Sequence, residues 1–157
     1  QKPHPPFMIG GGGRRVLSIA GREAQIVSLA PRLPAPEQPD IRSCLAEGTA
    51  EKVGWVRAAA DGRADDVELS TYSPLEPITI TTDRRAKARE LADRLRARVG
   101  VELTEDELLD SPHVFFGTVD ELVEKCLDMR ERFGITNVMA HGQIEEFGPV
   151  VERLAGR

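Results

Sequence analysis

The chain is poor in the residues that hold metals or cross-link a fold. It has two cysteines and three histidines. Cys44 and Cys126 lie far apart and in no metal-ligand spacing, so they read as free thiols of a reducing, cytoplasmic compartment. Cys126 falls on an apolar helix face, where core packing is its expected role. His4, His113 and His141 are scattered and make no metal site. Long apolar runs are missing too. Segments such as 26–30 and 138–140 fall far below the roughly 20 residues that span a bilayer, and no signal-like stretch opens the chain. No run of Lys and Arg is long enough to track a phosphate backbone, and the formal net charge is −5, which argues against nucleic acid as a main partner. No Ser/His/Asp or paired-carboxylate constellation can be assembled.

What is present is ordinary for a globular protein. The 157 residues are 40% hydrophobic and 30% charged, enough for one domain (1–157) with a sizeable core. The opening Gln1-Lys2-Pro3-His4-Pro5-Pro6 lacks a Met and runs straight into an apolar segment, which reads as the middle of a longer polypeptide.

The pattern alternates short apolar runs with helical periodicity. Phe7-Met8-Ile9 ends at four glycines and reads as a buried strand. Residues 14–24 carry a one-faced apolar pattern and suit a short helix. Residues 24–30 form the next strand, apolar on both faces as in a covered parallel sheet. Residues 31–49 begin proline-dense and read as a long loop, a mobile wall or lid. A helix is expected near 50–60, where Trp55 covers the core edge. Residues 67–81 are extended. Asp83 opens the clearest helix, closed by Gly100. Thr104 and Thr118 each begin a capping-box spacing, and the second helix stops at Gly134. The fourth strand spans 135–140, and a last helix contains Pro149, tolerable only near its first turn. Acidic residues in 102–110 and 121–131 are expected on solvated helix faces. Four strands alternating with helices imply a parallel sheet. Periodicity alone leaves a half of an eight-stranded barrel and a small open α/β sheet level.

The strongest chemical signal is Gly10-Gly11-Gly12-Gly13-Arg14-Arg15 at a strand–helix join. Glycines let backbone N–H groups approach an anion, and the helix N-terminus adds free donors. Arg14 or Arg15 would add a charge-assisted contact to a phosphate. The Gly-Lys-Ser/Thr of a P-loop is absent, and so are the third glycine and acidic residue of a dinucleotide fingerprint. A flexible turn is the bland alternative. His141 directly follows the fourth strand, at the end where barrels place their sites. Tyr72, Ser73 and Ser28 are weaker pocket candidates, their direction resting on a register that the sequence does not fix. His113, between helices, reads as structural.

Taken in order, Pro5 to Arg15 and then Arg22-Glu23-Ala24-Gln25-Ile26-Val27 resemble the fifth strand and following helix of luciferase-like monooxygenases, closest to the coenzyme F420-dependent oxidoreductases of that class. Glu51 to Val56, Ser111-Pro112-His113, Gly117 to Leu122 and Gly134-Ile135 extend the resemblance over about residues 3–155. It implies a luciferase-like (βα)8 barrel of which this chain supplies strands five to eight. It also implies a cofactor, coenzyme F420 or alternatively FMN, whose phosphate region lies at Gly10 to Gly13, and hydride transfer to or from a small-molecule substrate. Arg14 is an addition from local chemistry, and Ser28, Tyr72 and His141 stand as substrate-pocket candidates. On that resemblance, strands one to four, with much of the ring pocket, are expected to lie outside this sequence. The chain alone is therefore expected to be inactive and to pair with the missing N-terminal half or with a second copy of itself. Two rival readings stay open: a non-catalytic half-barrel binding a phosphate-bearing ligand or a partner, and an unrelated small α/β phosphate-binding domain with covered sheet edges.

Overall fold

The computed structural model describes residues 2–35, 38–141 and 143–156, with the side chain of Gln38 left aside. Four strands, β1 (Met8–Gly11), β2 (Ile26–Leu29), β5 (Glu68–Tyr72) and β8 (Ile135–Met139), form one parallel sheet in the order β1-β2-β5-β8. Spatial order follows chain order throughout. A doubly wound open sheet reverses direction at a switch point; this sheet has no reversal among the described residues, and β1 and β8 are its edges.

The helices that return the chain are α1 (Arg14–Glu23), α2 (Ala46–Ala60) and α5 (Val119–Phe133), with α6 (Ile144–Leu154) after β8. Ile9, Val27, Leu29, Leu69 and Ile135 point from the sheet into one core with Leu17, Val56, Leu122, Met129 and Phe147 from these helices. The opposite face of the strands is mixed: Gly10, Ser28, Ser70, Asn137 and Glu68 are small or polar, Met8, Ile26 and Met139 are apolar, and Met8, Gly10 and Glu68 are exposed. Only one face of the sheet is therefore built as a hydrophobic core.

Between β5 and α5 the chain makes an excursion with its own smaller core. It holds β6 (Thr79–Ile80), α3 (Arg84–Val99), α4 (Glu105–Asp110) and β7 (Phe116–Gly117). Leu91, Leu95, Leu108, Val114 and Phe116 pack together there, and β6 pairs with β7 in a separate parallel ribbon. Local chemistry sets these boundaries. The Asp83 carboxylate accepts from the Ala86 N–H, and Thr104 and Thr118 both close capping boxes. Gly100 and Gly134 end α3 and α5 in the left-handed conformation.

Several expectations change. Residues 31–49 are not one loop: β3 (Arg32–Ala35) and β4 (Gln38–Asp40) pair as an antiparallel hairpin, Ile41–Cys44 form a 3-10 turn, and α2 already starts at Ala46. Pro36 and Glu37, within the stretch read as a lid, lie outside the described residues. The hairpin is fastened, since the Arg32 N–H donates to Ser43 Oγ at 2.8 Å and the Arg32 guanidinium meets Glu51 at 2.8 Å. The extended stretch 67–81 splits into β5 and β6, in different sheets. Pro149 sits in the second turn of α6 rather than the first; its missing N–H leaves the Glu145 carbonyl, on an exposed stretch, open to water.

Candidate functional site

The parallel register resolves the directions that the sequence left open. Gly10 pairs with Ser28, Ser28 with Ser70, and Ser70 with Asn137, one row across all four strands. A Cβ on Gly10 would lie 3.5 Å from that of Ser28, so both point to the face away from the helix-covered core. Ser70 Oγ donates to Asn137 Oδ1 at 3.2 Å, and Asn137 Nδ2 donates to Glu68 Oε1 at 3.0 Å. Tyr72 pairs with Met139 two residues further on, towards the C-terminal ends of the strands.

The glycine run straddles the end of β1 and the start of α1. None of its four members has a positive φ, so the reason for glycine is space. A Cβ on Gly11 would come 2.6 Å from Val16 Cγ1; one on Gly12 would overlap the Pro31 carbonyl oxygen and come 2.7 Å from the Arg32 nitrogen. Gly12 therefore packs against another stretch of backbone, where no side chain fits. Gly13 is the N-cap of α1, at φ −99° and ψ 150°, with no side-chain cap and no acidic residue in the first turn. The first turn instead begins with Arg14 and Arg15, both exposed and in no ion pair among the described residues. Two cations at the positive end of a helix dipole repel it, and a bound anion relieves that.

At the other edge, the Tyr72 and His141 rings meet edge to face, centroids 5.1 Å apart. His141 holds φ +45°, an uncommon backbone for a non-glycine residue and frequent at functional sites. Gly142 lies outside the described residues. Burial raises the Tyr72 phenol, with Cys44 adding to the shift. A shallow cavity of about 410 Å³ opens beside His141, Ser73 and Gln143. A larger one, about 670 Å³, lies among Arg57, Asp65, Glu68 and Gly134 near the start of β5 and of β8. In a parallel α/β sheet the reactive end is the opposite one, so the smaller cavity is the relevant one.

The structure thus brings Gly10 beside Ser28 on the β1–β2 side of the sheet, and Tyr72 beside His141 on the β5–β8 side. Arg14 stands next to the glycines and reaches neither pair. Sequence reasoning missed Ser70 and Asn137, although stepping back two residues from Tyr72 leads to Ser70. It also missed a buried polar layer behind the strand ends. His113 is wholly buried, its Nδ1 within 3.0 Å of both Thr71 Oγ1 and the Tyr72 carbonyl. Burial, reinforced by the nearby Lys52 charge, pushes its imidazole down to about 3, so it is neutral across the ordinary pH range. Its Nε2 and the Thr49 hydroxyl have no hydrogen-bond partner among the described residues. Lys52 is also fully buried, its Nζ donating to the Ala30 carbonyl at 2.8 Å. The signal for Lys52 was available: with Thr49, Val53, Val56 and Ala60 it occupies the buried face of α2.

Trp55 is half-buried against the main core, with the Arg32 guanidinium 5.3 Å from its ring centroid. Cys126 packs against the same core, and burial raises both thiols to about 11. Among the described residues no three His, Cys, Asp or Glu side chains gather as metal ligands, and no helix is long and apolar enough to cross a membrane.

No family model matches the chain, and no curated protein matches it by sequence. Solved structures do. The coenzyme F420 dependent tetrahydromethanopterin reductase from Methanopyrus kandleri superposes with a TM-score of 0.57 at 15% identity, over 93% of this chain and 48% of its own. The EDTA monooxygenase from Chelativorans sp. BNC1 does so at 0.55 and 15%, over 96% of this chain and 44% of its own. A riboflavin lyase, solved with modified FMN and substrate riboflavin, matches at 0.55 and 16%, over 96% and 43%. At these identities the likeness is one of fold, and it agrees with the luciferase-like resemblance carried by the sequence. The chain spans less than half the length of each of these structures.

Proposed function

We propose that this chain is the C-terminal half, strands five to eight, of a luciferase-like (βα)8 barrel oxidoreductase that binds coenzyme F420. The single observation carrying this is the glycine run: Gly12 pressed against the Pro31 carbonyl, at the uncapped N-terminus of a helix headed by Arg14 and Arg15, in a fold shared with a coenzyme F420 dependent reductase. The singly wound order of the sheet, its free edges and a second face that no helix core covers fit a half-barrel better than a self-contained open sheet.

The residues fit a phosphate-bearing tricycle. Backbone N–H groups of Gly12 and Gly13 and the first turn of α1 would hold the phosphate, with the Arg14 guanidinium adding charge. Ser28, Ser70 and Asn137 would line the inner wall, and Tyr72 and His141 the substrate side. The cofactor, when bound, supplies hydride transfer; the protein positions it. FMN is the alternative, since one neighbour was solved with modified FMN and both cofactors bring a phosphate to the same donors. The completing partner is the N-terminal half-barrel or a second copy of this chain, the substrate is a small molecule, and two free cysteines favour a cytoplasmic location.

The test is a titration of the purified chain with coenzyme F420 and with FMN, followed by absorbance and fluorescence, alone and mixed with the N-terminal half of its parent. Binding and reduction confined to the mixture support the half-barrel enzyme. Tight binding by the chain alone supports a non-catalytic phosphate-binding half-barrel, and no binding in any mixture refutes the oxidoreductase.

A further inference from the structure

Lys52 sits on α2 with none of its surface exposed. A buried ammonium is costly unless hydrogen-bonded, and its acceptor among the described residues is the carbonyl of Ala30, the residue after β2, at 2.8 Å. The Ala30 N–H donates in turn to the Gly11 carbonyl at 2.9 Å. The next carbonyl, that of Pro31, occupies the space where a Cβ on Gly12 would stand. Beyond it, Arg32 is fastened to Ser43, Glu51 and Trp55. One buried charge thus holds the strap 30–32 that both bonds to and packs on the glycine run.

We infer that Lys52 is a positioning residue for the glycine run: through the Ala30 carbonyl it sets the strap against which Gly11 and Gly12 take their anion-binding shape. The inference rests on the phosphate-cradle reading above. Packing alone does not ask for a charge at this position, because an apolar side chain of similar length fills a buried site as well or better. The charged and titratable groups around Lys52 are Cys44, Asp40 and Glu51, Arg32, and His113 on the far side. Burial lowers its ammonium to about 8; Arg32 lowers it further, while Cys44, Asp40 and Glu51 oppose the shift. The strap is therefore expected to slacken as pH rises through that value.

The test compares the wild-type chain with Lys52→Met and Lys52→Arg. Without ligand, amide hydrogen exchange at Ala30 should speed up at least tenfold in Lys52→Met and far less in Lys52→Arg. The Gly11 and Gly12 amide shifts of the wild type should step near pH 8, and that step should vanish in Lys52→Arg. This second readout holds even if the Met variant does not fold. It is also separable from Lys125, which titrates in the same range but bonds to the Leu109 carbonyl. With FMN or coenzyme F420, in whichever mixture the wild type binds, Lys52→Met should bind at least tenfold more weakly and Lys52→Arg should recover most of the loss. Unchanged exchange and shifts, or full binding by Lys52→Met, overturns the role of Lys52. A coupled strap in a wild type that binds neither cofactor in any mixture overturns the cradle reading instead.

Discussion

Replacing Gly13 by Asp should make the protein more stable and worse at binding a phosphate. Gly13 already has the extended backbone of an N-cap, and a Cβ placed there meets nothing within 4 Å. An Asp side chain would accept from the free N–H groups of the first turn of α1. Over glycine the cap itself gains a few tenths of a kcal/mol. A carboxylate at the positive end of the dipole, beside Arg14 and Arg15, adds about 0.3–1 kcal/mol. Removing a glycine from the unfolded chain contributes about 0.4–1 kcal/mol. Together these make about 1–2 kcal/mol, or roughly 3–6 °C in Tm for a chain of this size. The same carboxylate takes the donors that a phosphate would use and repels the phosphate itself, so affinity should fall by tenfold or more, about 1.4 kcal/mol. Thermal unfolding by circular dichroism and a fluorescence titration with FMN or coenzyme F420 measure the two effects. A variant that gains stability and binds as well as the wild type shows that the anion does not sit at α1. One that gains no stability shows that the N-terminus of α1 was not free.

Other expectations follow from single positions. Gly12→Ala should cost about 1–3 kcal/mol, because the Cβ meets backbone that has nowhere to relax; Gly10→Ala, with its nearest atom at 3.5 Å, should be nearly neutral, and urea midpoints compare them. His113 binds its proton far more weakly when folded, at about 3, than its ordinary 6.5. The unfolded chain therefore takes up a proton that the folded one refuses. Stability should be full above pH 6.5 and fall by about 1.4 kcal/mol per pH unit below it. His113→Gln should flatten that slope between pH 6.5 and 5, above the range where carboxylates titrate; an unchanged slope refutes a neutral buried His113. Asp83→Ala removes the side-chain N-cap of α3 and should cost about 1 kcal/mol in the same urea assay.

What the sequence revealed and what it concealed divide along the range of the forces involved. Helix ends set by nearest neighbours were legible: the Asp83 cap, both capping boxes, and the stops at Gly100 and Gly134 need only residues a few places apart. The four parallel strands were legible because apolar runs between helices leave little choice. The hairpin 32–40 was hidden, since its proline-dense strands carry no alternation and its stability comes from Arg32 reaching Ser43 and Glu51. The ribbon of β6 and β7 joins Thr79 to Phe116 across the whole of α3 and α4, and a two-residue pairing leaves no pattern to read. In the candidate site the glycine run was visible as composition, but the distinction within it was not. Gly12 must be glycine because Pro31, nineteen places away, passes against it, whereas Gly13 faces open space. The buried face of α2 was enough to place Lys52 inside, but the Ala30 carbonyl that holds its charge, twenty-two places away, could not be read. Chemistry that resides in one residue type can be read from a sequence; chemistry that resides in a backbone carbonyl of another element has no letter of its own.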